Sequence, residues 1–390
     1  MSGTTWTLTV AQFQLEYGLT LPSTTVCYRS WGTLNHARNN VMVICHPFTG
    51  SVDVEKWWGP LIGSGKAFDP KHYFIICANV LGSPFGTTSP LSIDSSTGRR
   101  YGPNFPSTTI RDDVRLHKLV LDHLGVTSVA VVVGGSMGGM TALEWPLCFP
   151  DLVRRIIPLA TCAKQSAWCI AWGEAKRQII YTDSAFRGGY YPRERPPKQG
   201  LAAARMVGLV TYRSSDSYEQ RFGRKLDDPC SHVHYHHQQK GDDNTVCNTT
   251  KAQIVVDHAE HPRFSAQSYL HYKGATFATD FDANCYIHLT HKMDTHDITR
   301  GRVSVADVDE HTALSSVLRT LPPHPLIISI SSDVLCPPHE QKILADGIPE
   351  AELVIIDSMA GHDGFLVESE RIDAAVVRYL RHEFPEFYDD

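Results

Sequence analysis

The 390-residue sequence has no run of apolar residues approaching the ~18–20 that a membrane-crossing helix needs. Its first ten residues, MSGTTWTLTV, carry neither a basic cluster nor a long apolar core, so they do not read as a secretory signal. The final residues, Glu386-Phe387-Tyr388-Asp389-Asp390, match neither a peroxisomal nor an ER-retention tail. Positive charge is scarce: 36 Lys and Arg stand against 42 Asp and Glu, a formal net charge of −6. Such a chain lacks the global positive field that draws nucleic acid or anionic lipid, and neither is an expected partner. There is no internal repeat. Ten cysteines occur, but none with CxxC spacing. Cys45 and Cys77 sit in apolar runs, where a thiol behaves as a small core hydrophobe. These features predict a cytoplasmic protein of a reducing compartment, in which the sequon Asn248-Thr249-Thr250 meets no glycosylation enzyme.

What the sequence does contain is ample core material: 42% of the residues are hydrophobic and 9% aromatic. Val41–Cys45, Tyr73–Cys77 and Val129–Val133 are short, β-rich apolar runs followed by turn residues, the pattern of fully buried parallel strands. Between the last two, apolar residues at 110, 114, 116, 119, 120 and 121 recur at helical spacing. Leu326–Ile330 and Leu353–Ile356 are two further strand candidates, joined by a helical stretch around Ile343 and Leu344. Strands alternating with helices predict an α/β protein with a mostly parallel sheet. The middle differs. Strand signals vanish from about Gln165 to Ser315, leaving helical text at 200–210 and 265–272. The expected organisation is a core at 1–165, an inserted helical cap at 166–319 and a second core part at 320–390. Within the cap, residues 226–260 are rich in His, Asp, Asn and Gln and predict a mobile surface insertion.

The sharpest chemical signal is Gly134-Gly135-Ser136-Met137-Gly138, a G-x-S-x-G directly after an apolar strand and before a helical stretch. That context is what a nucleophile elbow requires, in which a strained turn lifts Ser136 above the carboxyl edge of the sheet. A P-loop reading of Gly63-Ser64-Gly65-Lys66-Ala67 fails. Ala67 stands where a magnesium-holding hydroxyl is needed and Pro60 where the first glycine belongs. A serine hydroxyl needs a base, and that base needs an orienting carboxylate. In this fold the order along the chain is Ser, then Asp or Glu, then His. Asp333 follows one C-terminal strand and His362 the other, so both emerge at the edge that carries Ser136; Asp357 is the competing carboxylate, read as a cap on the strand exit. The oxyanion of a tetrahedral intermediate requires two N–H donors. Met137 supplies one. The loop His46-Pro47-Phe48-Thr49-Gly50 supplies the other through Phe48, since Pro47 has no N–H.

The segments Tyr28–Gly32, Cys45–Gly50, Leu81–Gly86, Thr109–Asp113, Gly134–Met140, Ser166–Trp168, Asp294–Asp297 and Gly361–Phe365 run in order along nearly the whole chain. On these segments the sequence resembles the homoserine O-acetyltransferase family of α/β hydrolases, above all its fungal members, and their relative deacetylcephalosporin-C acetyltransferase. Pro47-Phe48 departs from the Ala-Leu common in the family, and the 226–260 insertion lies outside the resemblance.

The resemblance implies acetyl transfer from acetyl-CoA to the hydroxyl of L-homoserine through an acetyl-Ser136 intermediate, feeding methionine synthesis. It implies Arg205, Tyr212 and Asp363 as the residues that bind the acceptor. Homodimers are common in the family, and acetyl-CoA is a co-substrate rather than a permanently bound cofactor. Serine or deacetylcephalosporin C as acceptor, succinyl in place of acetyl, and a plain serine esterase are the alternatives that the residues leave open. The cluster His232-Val233-His234-Tyr235-His236-His237 is read as a solvated loop and not as a metal site, because no cysteine or carboxylate stands at structural-zinc spacing beside it.

Overall fold

The computed structural model of the chain describes residues 3–227, 263–303 and 308–388. The 226–260 insertion therefore lies almost wholly outside the described residues, as do the histidine cluster at 232–237, the sequon, Cys230 and Cys247. The strands are β1 (Thr4–Gln14), β2 (Thr20–Trp31), β3 (Val41–Cys45), β4 (Phe74–Ala78), the short β5 (Ile93–Asp94) and β6 (Arg99–Arg100), β7 (Val129–Gly135), β8 (Val153–Leu159), β9 (Leu326–Ile330) and β10 (Glu352–Ile356). Apart from the β5–β6 ribbon, they form one eight-stranded sheet in the order β1-β2-β4-β3-β7-β8-β9-β10. The first two pairings are antiparallel and the other five parallel.

Every residue of β3 and β7 is buried, which is why those strands read as unbroken apolar runs. β3 shows how such a strand serves two cores at once. Val41, Val43 and Cys45 join the apolar cluster on one face, Met42 and Ile44 the cluster on the other. Fully burying one such aliphatic side chain is worth roughly 1.5–3 kcal/mol. One face is covered by α2 (Ile110–His123), α3 (Met137–Cys148), α9 (Glu310–Leu318) and α10 (Pro338–Gly347), the other by α1 (Val54–Trp58) and α12 (Ser369–Glu383). Over the carboxyl rim lie α4 (Ala167–Tyr181), α5 (Lys198–Tyr212), α7 (Ser265–Asp280) and α8 (Ala283–Asp294). They enclose a third apolar cluster together with Phe48, Met137 and Met140. The short α6 (Ser215–Arg221) and α11 (Gly364–Val367) complete the α-helices of the described residues.

The sequence reading missed three strands of this sheet, β1, β2 and β8, and the short β5–β6 ribbon. β1 and β2 form a long antiparallel hairpin in which threonines alternate with apolar residues, a half-exposed pattern without a contiguous run. β8 carries Arg154, Arg155 and Pro158, which masked it. β10, expected at Leu353–Ile356, is present as an edge strand, and its Ile355 is 56% exposed.

Several charged residues of these helices are buried. Thr109 caps α2 with Asp112 as the reciprocal partner, and the Asp112 carboxylate also accepts the Glu16 N–H at 2.7 Å. Its neighbour Asp113 is fully buried against Lys292 of α8 at 2.6 Å, and Lys292 also donates to the Leu81 carbonyl at 2.7 Å. This dry ion pair ties α8 to α2 and to the loop after β4.

Candidate active site

Ser136 stands between the end of β7 and the first residue of α3 with φ +56° and ψ −123°, a conformation that side chains other than glycine rarely adopt. The surroundings enforce it. Ser136 N–H donates to the Leu159 carbonyl at 3.0 Å, and the Thr161 hydroxyl donates to the Ser136 carbonyl at 2.9 Å. A Cβ on Gly134 would lie 2.1 Å from the Gly138 oxygen, and one on Gly138 would lie 2.1 Å from the Cys45 oxygen. The glycines of the motif are thus needed for close backbone approach.

His362 follows β10. Its Nε2 lies 2.8 Å from Ser136 Oγ and its Nδ1 lies 2.7 Å from the Asp333 carboxylate. The other oxygen of Asp333 accepts the backbone N–H groups of Leu335 and Cys336 at 2.8 and 2.9 Å, so the carboxylate is held from both sides. Two serine hydroxyls stitch the exit loops of β9 and β10 together. Ser331 accepts from Ser358 N–H at 3.0 Å and Ser332 from Gly361 N–H at 2.9 Å. Asp357 stays exposed and accepts from the Ser331 hydroxyl, away from the imidazole.

Burial alone would push the His362 pKa down. The Asp333 charge and hydrogen bond more than offset this, and the net direction is upward. The arrangement is a serine hydroxyl hydrogen-bonded to an imidazole whose other nitrogen is fixed by a buried carboxylate, which is what activates a serine.

Phe48 lies in the turn after β3, and its amide has no acceptor among the described residues. Met137 opens α3, whose leading N–H groups have no acceptor within the helix. A residue that the sequence reading passed over sets the first of these donors. His46 Nε2 accepts the Val80 N–H at 3.2 Å, which leaves Nδ1 protonated to donate to the Pro47 carbonyl at 2.9 Å. Gly50 N–H donates to the same carbonyl at 2.8 Å. Because a trans peptide points its C=O and N–H in opposite directions, anchoring the Pro47 oxygen aims the Phe48 N–H the other way. Burial holds His46 down at about 4, so it stays neutral. The signal was its position directly before Pro47-Phe48.

A cavity of about 110 Å³ lies against Ser136 and His362. Phe48, Cys169, Trp172, Lys176, Arg205, Tyr212, Asp294 and Asp363 line it. Arg205, Tyr212 and Asp363, named from the sequence, are thus brought together with Ser136 and His362. The guanidinium of Arg205 lies 4.8 Å from the Phe277 ring centroid and 5.6 Å from that of Tyr212, and it has no ion-pair partner among the described residues. Asp363 is not free: Arg213 Nε donates to it at 3.1 Å. Burial raises the Asp363 carboxyl, and the charges of Arg213, His362 and Arg205 pull against it. Trp172, Lys176 and Asp294 were not anticipated, because their spacing on α4 and α8 reads as ordinary helix until the two helices are seen around one cavity.

Among the described residues one group has metal-ligand chemistry, Asp333, Cys336 and His362, with candidate atoms all within 4.8 Å. Asp333 and His362 are already engaged with each other. The Cys336 thiol is pushed well above its ordinary pKa by its contact with Cys162 and by burial, so it stays protonated. All eight described cysteines are free thiols.

Residues 40–369 match the model of the alpha/beta hydrolase fold family. The chain is 42% identical to a homoserine O-acetyltransferase of Ascobolus immersus, over 97% of this chain and 87% of that one. Among solved structures, a homoserine O-acetyltransferase from Bacillus anthracis superposes with a TM-score of 0.80 at 24% identity, over 97% of this chain and 98% of that one. Esterase E22 superposes with a TM-score of 0.79, also at 24% identity, over 97% of this chain and all of that one. At that identity the two solved structures speak for the fold alone.

Proposed function

The chain belongs to the homoserine O-acetyltransferase family of the alpha/beta hydrolase fold, and from that premise we propose that it transfers an acetyl group from acetyl-CoA to the hydroxyl of L-homoserine through an acetyl-serine. The observation that carries the mechanism is the 2.8 Å contact between His362 Nε2 and Ser136 Oγ at the floor of the cavity.

In the first half-reaction the Ser136 proton moves to His362 Nε2 while Oγ attacks the thioester carbonyl. Asp333 stabilises the imidazolium. Phe48 and Met137 N–H groups receive the oxyanion. When the tetrahedral intermediate collapses, the C–S bond breaks and the thiolate takes the proton from His362. In the second half-reaction His362 takes the proton of the homoserine hydroxyl, whose oxygen attacks the acetyl-serine ester. Ser136 leaves with that proton, and O-acetylhomoserine departs. Water competes at this step, so the acceptor must be positioned. Orientation of this kind can supply up to ~7–11 kcal/mol. Arg205 binds the acceptor's carboxylate, and Tyr212 with Asp363 binds the rest of its polar end. Segment 166–319 acts as the cap, a role supported by the contributions of α4, α5 and α8 to the cavity wall.

The proposal extends to a place in methionine biosynthesis, to a cytoplasmic homodimer and to acetyl-CoA as co-substrate without a permanent cofactor. Free thiols at every described cysteine fit a reducing compartment, and among the described residues no helix is long and apolar enough to cross a membrane. Mass spectrometry of the protein mixed with acetyl-CoA tests nucleophile, donor and covalent route together: one acetyl group on the peptide containing Ser136, discharged by homoserine faster than by serine or water. An esterase would lose the acetyl group to water at the same rate with or without homoserine.

A further inference from the structure

The two acids that line the cavity, Asp294 and Asp363, match its two lining cations in number, but each is already engaged by an arginine outside the lining, and Arg177 is shared with Glu174. Arg177 is paired with Asp294 at 2.8 Å and Arg213 with Asp363 at 3.1 Å. Two cations remain. Arg205 and Lys176 make no hydrogen bond or ion pair among the described residues, although both line the cavity. Arg205 already has a role in the acceptor reading; Lys176 has none. It is only 6% exposed, and its ammonium lies 5.6 Å from the centroid of the Tyr212 ring, the ring that Arg205 also faces at 5.6 Å. A ring face offers an ammonium a cation–π contact but no lone pair for its three N–H donors. Leaving such a group buried without an acceptor is costly.

The rest of the helix points the same way. Cys169, Trp172, Gly173 and Lys176 of α4 all line the cavity, the i, i+3, i+4, i+7 spacing of one helix face. Trp172, one turn before Lys176, has a buried indole N–H that also lacks a partner among the described residues. Two donors on one face of α4 have no acceptor among the described residues, so both are available to the acceptor atoms of a ligand that enters the cavity.

We propose that Lys176, acting with Arg205, is a specificity-determining residue that holds the carboxylate of the hydroxy-amino-acid acceptor, an inference that rests on the acyl-transfer function proposed above. The distances suit it. The Tyr212 ring centroid is 6.3 Å from that of His362. Four single bonds separate the hydroxyl oxygen of homoserine from its carboxyl carbon, about 5 Å when extended. A hydroxyl delivered to His362 therefore leaves the carboxylate beside the ring that both cations face. Serine, one bond shorter, brings its carboxylate less far toward them. The acetyl group carries no anion that could use Lys176.

The test is single-turnover discharge of pre-formed acetyl-enzyme by two acceptors, L-homoserine and 3-aminopropan-1-ol, which lacks only the carboxylate. In Lys176→Met the second-order rate with homoserine falls about 10- to 100-fold, the loss of one charged hydrogen bond. The rate with 3-aminopropan-1-ol changes little, and Lys176→Arg recovers most of the homoserine rate. Thermal melts of both variants separate these effects from misfolding, and Lys176→Gln replaces Lys176→Met if the latter does not fold. An equal loss with both acceptors, or no loss with homoserine, overturns the assignment. Wild-type acetyl-enzyme that no hydroxy amino acid discharges overturns the acceptor reading itself, and this inference with it.

Discussion

His362 Nε2 sits 2.8 Å from Ser136 Oγ although 226 residues separate them along the chain. The contact exists because β7 and β10 end at the same rim of one parallel sheet, so that the turn after one and the loop after the other meet above it. Its consequences can be measured.

Replacing Ser136 by Ala removes the attacking oxygen and leaves the elbow backbone intact. Turnover falls by a factor on the order of 10⁶, as for other serine nucleophiles acting within such a set. No acetyl adduct appears in the mass spectrum after mixing with acetyl-CoA, while the melting temperature stays close to that of the parent.

Asp333→Asn keeps the shape but offers an amide where His362 Nδ1–H needs an acceptor. The imidazole is then held in the wrong tautomer, and kcat drops by about 10⁴. Because the Leu335 and Cys336 N–H groups still find a side-chain oxygen, circular dichroism remains that of the wild type. A variant with unchanged kcat would remove Asp333 from the mechanism.

The His362 imidazole must be neutral to take a proton. Burial lowers its pKa, but Asp333 raises it by more, so the net shift is upward. Activity is therefore full at pH above that raised value and falls as pH drops through it. Removing the charge in Asp333→Asn takes away the raising interaction and leaves the desolvation. The acid limb of the kcat/KM profile then moves to lower pH, even though the plateau is far smaller. A limb that stays in place or moves upward contradicts this assignment.

The Lys292–Asp113 pair is fully buried, with Asp113 also accepting the Leu81 N–H at 2.8 Å. Deleting either partner strands a charge in a dry interior. Asp113→Ala and Lys292→Met each lose about 3–5 kcal/mol in denaturant titration. The double variant loses less than the two single losses combined, because the stranded charge is gone. Additive losses would show that the pair does not couple.

Much of this architecture could be read from the chain beforehand, for reasons visible at particular residues. Val41–Cys45 and Val129–Val133 are buried on both faces, so their sequences are unbroken apolar runs. Ser136 is flanked by glycines because their Cβ atoms would collide with carbonyl oxygens. Asp333 and His362 each follow a recognisable strand. Residues whose meaning depends on a partner far along the chain were illegible. Asp113 looks like helix surface until Lys292 arrives from 179 residues away. His46 looks like any of the 20 histidines until Val80 fixes its tautomer. Lys176 lies on α4, a helix too ordinary in sequence for the cavity wall to be visible. The β1–β2 hairpin went unread because alternation of threonine with leucine and valine is a weak signal.

The serine stitches between the exit loops of β9 and β10 have one more implication. With Ser331 bound to Ser358 and Ser332 to Gly361, the acid and the base travel as a single rigid fragment. The remaining adjustable coordinate is the spacing from that fragment to the elbow on β7, which the twist from β7 across the intervening β8 to β9 determines. Core substitutions beneath those two strands, remote from every ligand, should therefore detune the enzyme by parting imidazole from hydroxyl while leaving carboxylate and imidazole together.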